Sequence, residues 1–287
     1  MNHSRRFGIG EWYGRSFLQL SAAERRAFAT SSVKRPCPYR RDGGHCTKKG
    51  GVCSFRYYVE DDGIAGPIVG DGLRVLCPRR FEEDDEIFEW VGETILGTPD
   101  PSVAKEVGFL LSEDKSSDVG RIDMVLANEA SDLGRLEWCA LEIQAVYFSG
   151  PAMGDEFRAI REHANDEPPF PSKTRRPDYR SSGPKRLMPQ LQIKVPTLRR
   201  WGKKMAVVVD REFLNAMGAM EEVEDLSNAD IAWFTVDFEE DESAGRFRLV
   251  RDRVSFTTLE RATEGLVAGM PVPLSEFENR LRARLGG

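Results

Sequence analysis

Two acids set inside neighbouring apolar runs constrain this chain more than any other feature. Residues 119–148 read as two β-strands joined by a polar turn. The first, Arg121-Ile-Asp-Met-Val-Leu126, holds Asp123; the second, Trp138 to Phe148, is apolar except for Glu142 and Gln144. Strand side chains two apart leave on the same face, so Glu142 and Gln144 share one side of the sheet, while Cys139 faces the other way and reads as core. A buried ionised carboxylate must be paired, hydrogen-bonded or holding a cation. A hard divalent metal accounts for both acids at once. A salt bridge from Glu142 to Arg121, with Asp123 capping a turn, is the alternative that these residues leave open.

A net charge of −6 over 287 residues argues against a nucleic-acid partner until it is resolved along the chain. Residues 173–204 contain eleven Lys or Arg and one acid, Asp178, for a net +10; residues 34–49 contain six and one, Asp42, for +5. The remainder carries −21. A protein so polarised can turn a basic surface to phosphates and keep an acidic exterior elsewhere. No run approaches the roughly 20 apolar residues that span a bilayer, and Met1-Asn-His-Ser-Arg-Arg6 is not followed by a signal-peptide core, so a cytoplasmic location is expected.

Four cysteines, Cys37, Cys46, Cys53 and Cys77, fall within a Gly- and Pro-rich stretch. Without an export signal, clustered cysteines bind metal more often than they form disulfides, and four thiolates complete a tetrahedral site for zinc or iron. Cys37-Pro38 and Cys77-Pro78 flank the region as ligand-bearing turns would. Reduced, partly buried thiols are the competing reading, since no Cys-x-x-Cys pair is present; His45 reads as a solvent residue.

Elsewhere, Glu11 to Ala29 reads as helix, with Ser21-Ala-Ala-Glu24 as a capping box. Glu82 to Glu86 reads as a solvated acidic run, Val103 to Leu111 as helix or turn, and Ala152 to His163 as helix. Asn165 to Pro184 is a Pro-rich basic loop of the kind that is functional or disordered. A helix opens near Pro184 carrying Lys185, Arg186, Gln190 and Lys194, with Pro196 expected to kink or end it. Strands are expected at Met205–Asp210, Ile231–Phe238 and Phe247–Phe256, and helices at Glu212–Met220 and Leu274–Leu285. The expected organisation is an N-terminal helical segment (1–35), a four-cysteine module (36–80) and a mixed α+β core (81–287) with its basic loop and helix at 165–204.

The spacing of Asp123 from Glu142-Ile-Gln144 resembles the PD-(D/E)xK nuclease site, with glutamine where lysine is usual. Leu141-Glu-Ile-Gln144, the following Tyr147-Phe148 and Gly150, and the upstream cysteines together resemble the NotI restriction endonuclease family. The resemblance implies a restriction-endonuclease-like α/β fold, a mixed sheet flanked by helices, and a type II deoxyribonuclease cutting a GC-rich palindrome with Mg²⁺. It implies that Asp123 and Glu142 hold the Mg²⁺ with the Ile143 carbonyl, that Gln144 orients water, and that the four cysteines hold a structural iron rather than zinc. Glu113 and Asp118 are candidates for a third acid. Arg175, Arg176, Arg180, Lys185, Arg186, Gln190, Lys194, Arg199 and Arg200 form the pool for contacts to DNA. A homodimer and a companion DNA methyltransferase are also implied. Two competing expectations are a non-catalytic metal-containing DNA-binding protein and a non-specific PD-(D/E)xK repair nuclease.

Overall fold

The computed structural model describes residues 4–30, 33–68, 70–129, 136–267, 269 and 272–285. Strand β1 (Arg5–Trp12) turns through Tyr13 and Gly14, both at positive φ, into the short β2 (Arg15–Ser16). A 3-10 turn then leads to α1 (Ala22–Thr30). Its cap is reciprocal: Glu24 Oε2 accepts from the Ser21 amide at 2.9 Å, and Ser21 Oγ accepts from the Glu24 amide at 3.3 Å. The helix expected from Glu11 therefore begins only at Ala22, and residues 1–35 are not a helical segment. Glu11 and Trp12 are fully buried in a strand pairing, and that tertiary burial overrides local helix preference.

Strands β3 (Val52–Asp61), β4 (Ile64–Pro67) and β5 (Arg74–Val75) complete a small antiparallel sheet ordered β2-β1-β3-β4, with β5 also paired to β3. A kinked 3-10 segment, Pro78–Asp85, and α2 (Glu86–Val91) cross from it to the main sheet. The acidic run here is not solvated throughout. Glu82 is buried against Arg79 and Lys105, and Glu83 against Arg80 and the Leu249 amide; the arginines are three residues away, but Lys105 and Leu249 come from distant strands.

The main sheet begins with β6 (Ser102–Leu111), a strand where helix or turn was expected, and β7 (Asp118–Asn128). The polar turn expected after it falls on residues 130–135, which lie outside the described residues. Next come β8 (Glu137–Ile143), β9 (Phe148–Ser149), α3 (Gly154–Glu162) and β10 (Arg176–Pro177), which pairs with β9. After α4 (Tyr179–Ser182) and a π turn, α5 (Met188–Arg200) continues past Pro196 instead of ending there. Then follow β11 (Met205–Asp210), α6 (Arg211–Asn215), β12 (Ile231–Asp241), β13 (Arg246–Thr257), α7 (Leu259–Val267) and α8 (Leu274–Leu285). Helix α6 is shorter than expected. Asp210 caps it, accepting from the Phe213 amide at 2.7 Å.

The six strands run in the order β13-β12-β11-β8-β7-β6, with β8, β11 and β12 parallel and the outer pairings antiparallel. This is the mixed sheet expected. One face carries Leu126, Cys139, Leu141, Val208 and Phe234 against Phe81, Phe88 and Trp90; the other carries Ala140, Val207, Val209 and Trp233 against Leu191, Val195 and Leu198 of α5 and Leu266 of α7. Cys139 is core, as read, its thiol pushed up to about 12 by burial. Helix α5 thus lies across the face from which Glu142 projects.

No helix among the described residues is long and apolar enough to cross a membrane.

Candidate active site

Strand register brings the two acids together. Met124 pairs with Leu141, which sets Asp123 beside Glu142 on the α5 side of the sheet. The cation between them comes from neither strand. Lys194 of α5 donates from Nζ to Glu142 Oε2 at 2.7 Å and to Asp123 Oδ1 at 3.2 Å. The Lys194 and Glu142 side chains are 3% and 7% exposed, whereas Asp123 is 52% exposed, so the site opens on the Asp123 side. Arg121 is not the partner that a purely structural ion pair would have used. Burial is the largest influence on Glu142, moving its carboxyl from the usual 4.5 to about 7; Lys194 pulls it down and Asp123 pushes it up.

Glu142 stands at the edge of a cleft of about 690 Å³ lined by Gln144, Tyr147 and Phe148, by Lys185, Arg186 and Gln190 leading into α5, and by Lys48 and Pro78 from the cysteine region. Gln144 is buried, and its amide Nε2 donates to the Ala145 carbonyl at 2.5 Å, so it engages neither carboxylate. Gly150 must be glycine: its φ is +128° and a Cβ would lie 2.9 Å from the Thr174 carbonyl oxygen. That turn carries the chain from the cleft wall into α3.

The cations expected at DNA fall into separate groups. Lys185 and Arg186 line the cleft; the Arg186 guanidinium lies 3.6 Å from the Tyr147 ring centre and donates to its hydroxyl at 2.8 Å. Arg175 touches the cleft but is buried and bound to Glu156 at 2.8 Å, with carbonyls of Pro151 and Ala152 as further acceptors, so it is a structural ion pair. Arg199 is held by Asp230 and Glu260. Arg180 borders a different cavity, against α6 and α7. Arg176 and Arg200 are exposed, the latter bonded to Thr197. Lys194, expected to contact DNA, sits instead on the two acids.

Neither proposed third acid approaches the site. Asp118 is five residues before Asp123 on the same strand, about 17 Å at strand rise, and Glu113 lies beyond it in the β6–β7 turn. The structure supplies Glu106 instead. Lys105 pairs with Met124 and Val107 with Ile122, which sets Glu106 directly across from Asp123. Glu106 is exposed and has φ +55°. An L-residue at positive φ within a strand is uncommon, and such positions gather at functional sites. The family profile of the restriction endonuclease NotI matches residues 23–249. The chain belongs to the NotI restriction endonuclease family.

Members of this family are type II site-specific DNA endonucleases, so the cleft beside Asp123 and Glu142 belongs to an enzyme that hydrolyses double-stranded DNA. No curated protein matches the chain. The four cysteines expected to form a module lie near one another. Cys37, Cys53 and Cys46 form one cluster with Tyr39, and the Cys77 amide donates to the Cys53 carbonyl at 3.2 Å. All are free thiols. Among the described residues no three His, Cys, Asp or Glu side chains meet in an arrangement able to hold a metal ion, so the thiols converge without forming a ligating polyhedron.

Proposed function

We propose that this endonuclease cuts DNA at a GC-rich palindromic site with Mg²⁺ held by Asp123 and Glu142, in a PD-(D/E)xK-type arrangement. One observation carries the reading: two carboxylates from adjacent strands, one buried and one half-exposed, meet at the Lys194 ammonium, and the buried one lines a cleft that also holds cations. The donors fit the ion. Mg²⁺ takes oxygen ligands and keeps several waters, so two protein carboxylates suffice. When bound, the ion activates a water and neutralises charge on the phosphate.

The protein's own residues do the rest. Asp123 and Glu142 would hold the ion, and only through it would they set where the reacting phosphate lies relative to the sheet. Gln144 has no charge and no useful basicity, so its part is limited to orienting water or the cleft backbone. Lys48, Lys185 and Arg186 hold phosphates. Arg186, laid on Tyr147, is the best organised of the pool for a bidentate contact to guanine or phosphate, because stacking fixes the plane of its fork.

A palindromic site calls for a two-fold homodimer. Helix α8 offers a face for it, exposing Leu274, Phe277, Leu281 and Leu285 between an acidic N-terminal half and an arginine-bearing C-terminal half that are complementary when antiparallel. Protection of host DNA calls for a companion methyltransferase acting on the same site. Family membership, with the clustering of Cys37, Cys46 and Cys53 and the free state of all four thiols, supports a structural iron, or zinc, at Cys37, Cys46, Cys53 and Cys77. Elemental analysis of the purified protein, with serine at Cys46 as control, tests that assignment; metal content unchanged in the control would reject it.

The raised Glu142 carboxyl has a pH consequence. A divalent ion needs the carboxylate, so metal affinity should rise about tenfold per unit as pH approaches 7 and level off above it. Without metal the sign reverses: the folded state holds this proton more tightly than the unfolded chain, so stability falls as pH rises from about 4.5 to 7. Calorimetric titration with Mn²⁺ between pH 5.5 and 8, beside thermal melts without metal, checks both; a flat affinity across that range would contradict them.

The reading as a whole is tested by incubating the protein with methylation-free bacterial DNA, with Mg²⁺ or with EDTA. Discrete Mg²⁺-dependent fragments are expected. A smear would favour a non-specific repair nuclease, and DNA binding with no cleavage by folded protein would favour a binding module.

A further inference from the structure

Lys194 lies where the sequence offers no reason to place a cation. It falls in the apolar stripe of α5, among Leu187, Leu191, Val195 and Leu198, all buried. Its neighbours press its stem against the sheet, and its ammonium fills the gap between Glu142 Oε2 and Asp123 Oδ1. A divalent ion shared by those carboxylates would claim the same oxygens. Ammonium and metal, both positive, would also repel each other across that short distance. Gln144 does not compete, because its amide is turned to the Ala145 carbonyl.

We propose that Lys194 is a resident counter-ion of the catalytic acids, which an incoming divalent ion displaces, and that the displaced ammonium then serves as a positive contact for the DNA phosphate. The inference rests on the metal-dependent reading of Asp123 and Glu142. It adds that this chain keeps its active-site lysine on a helix rather than on the catalytic strand. The exit route is the Asp123 side, where the site is half open, while Glu142 stays enclosed. Lys194 thereby weakens metal binding in the free enzyme and offsets the negative charge of the phosphate once metal and DNA are both present.

The test measures Mn²⁺ affinity calorimetrically on the full-length protein without DNA, for the native chain, Lys194→Met, Lys194→Arg and Asp123→Asn, together with cleavage in Mg²⁺. Lys194→Met should bind Mn²⁺ at least tenfold more tightly than the native chain and yet lose cleavage. Lys194→Arg should keep near-native Mn²⁺ affinity and part of the activity, which separates charge from packing. Asp123→Asn should lose the Mn²⁺ site, which identifies it. Equal or weaker Mn²⁺ binding by a folded Lys194→Met would overturn the displacement, and full cleavage by that variant would overturn the phosphate contact. Absence of the Mn²⁺ site from the native chain and Lys194→Met alike, with no Mg²⁺-dependent cleavage, would instead bring down the underlying metal reading. Melting curves for each variant identify any that fails to fold, and Lys194→Gln replaces Lys194→Met in that event.

Discussion

Asp123→Asn is expected to lower single-turnover DNA cleavage by about 10³-fold or more, the order lost when a group central to catalysis is removed, while shifting the melting temperature little. Two features justify the second half of that statement. Asp123 is half exposed, so its change to a neutral isostere buries nothing new, and Lys194 keeps its shorter bond to Glu142 at 2.7 Å. Glu142→Ala should remove cleavage to a similar extent but at a cost in stability. It leaves the Lys194 ammonium, 3% exposed, with only the longer contact to Asp123, and breaking a buried ion pair from one side costs about 3–5 kcal/mol. DNA binding, which we assign by proposal to Lys48, Lys185 and Arg186, should survive in Asp123→Asn. Rates within tenfold of native for that variant, in Mg²⁺ and with discrete fragments retained, would remove Asp123 from the catalytic centre.

That contrast between two acids could not have been read from the chain alone. The sequence shows both carboxylates because each interrupts an apolar strand; the first strand forms where expected, but the second ends at Ile143 instead of running on to Phe148, so Gln144 leaves the strand. It also places Cys139 in the core, by strand alternation. It does not show which acid is enclosed, since enclosure depends on α5 lying over β8. Lys194 is 52 positions from Glu142, and in a strongly basic segment one more lysine attracts no notice. A signal was nevertheless present. Residues 187, 191, 194, 195 and 198 form a single helical stripe, and Lys194 is the one cation in it. Glu11 gives the same kind of signal between Gly10 and Trp12, hidden because Glu11 to Ala29 reads as helix. Glu106 gave none: it is an exposed glutamate until the pairing of β6 with β7 sets it opposite Asp123.

Arg80→Met should be the most destabilising single change away from the active site, by about 3–5 kcal/mol, out of the roughly 5–15 kcal/mol that hold a typical domain. Arg80 is fully buried. Its Nε donates to both Glu11 oxygens at 2.9 and 3.0 Å, Nη1 to Glu83 at 2.8 Å, and Nη2 to the Phe247 carbonyl at 3.1 Å. Its guanidinium lies 4.6 Å from the ring centres of both Tyr39 and Phe238. One side chain therefore ties β1 of the small sheet to β13 of the main sheet, and Tyr39 links it to the cysteine cluster. Methionine fills the volume but leaves Glu11 and Glu83 buried without a counter-charge, with only neutral donors: Ser54 and Tyr39 for Glu11, and the Leu249 amide for Glu83. The loss should come from those stranded carboxylates rather than from missing contacts. Adding Glu11→Gln and Glu83→Gln to Arg80→Met should therefore recover most of it, because a neutral, well-packed set replaces an ion network at little net cost. Denaturant titrations of the single and triple variants decide the matter. A single variant within 1 kcal/mol of native, or a triple variant no better than the single, would show that the two sheets are held together by their apolar contacts and not by this buried charge.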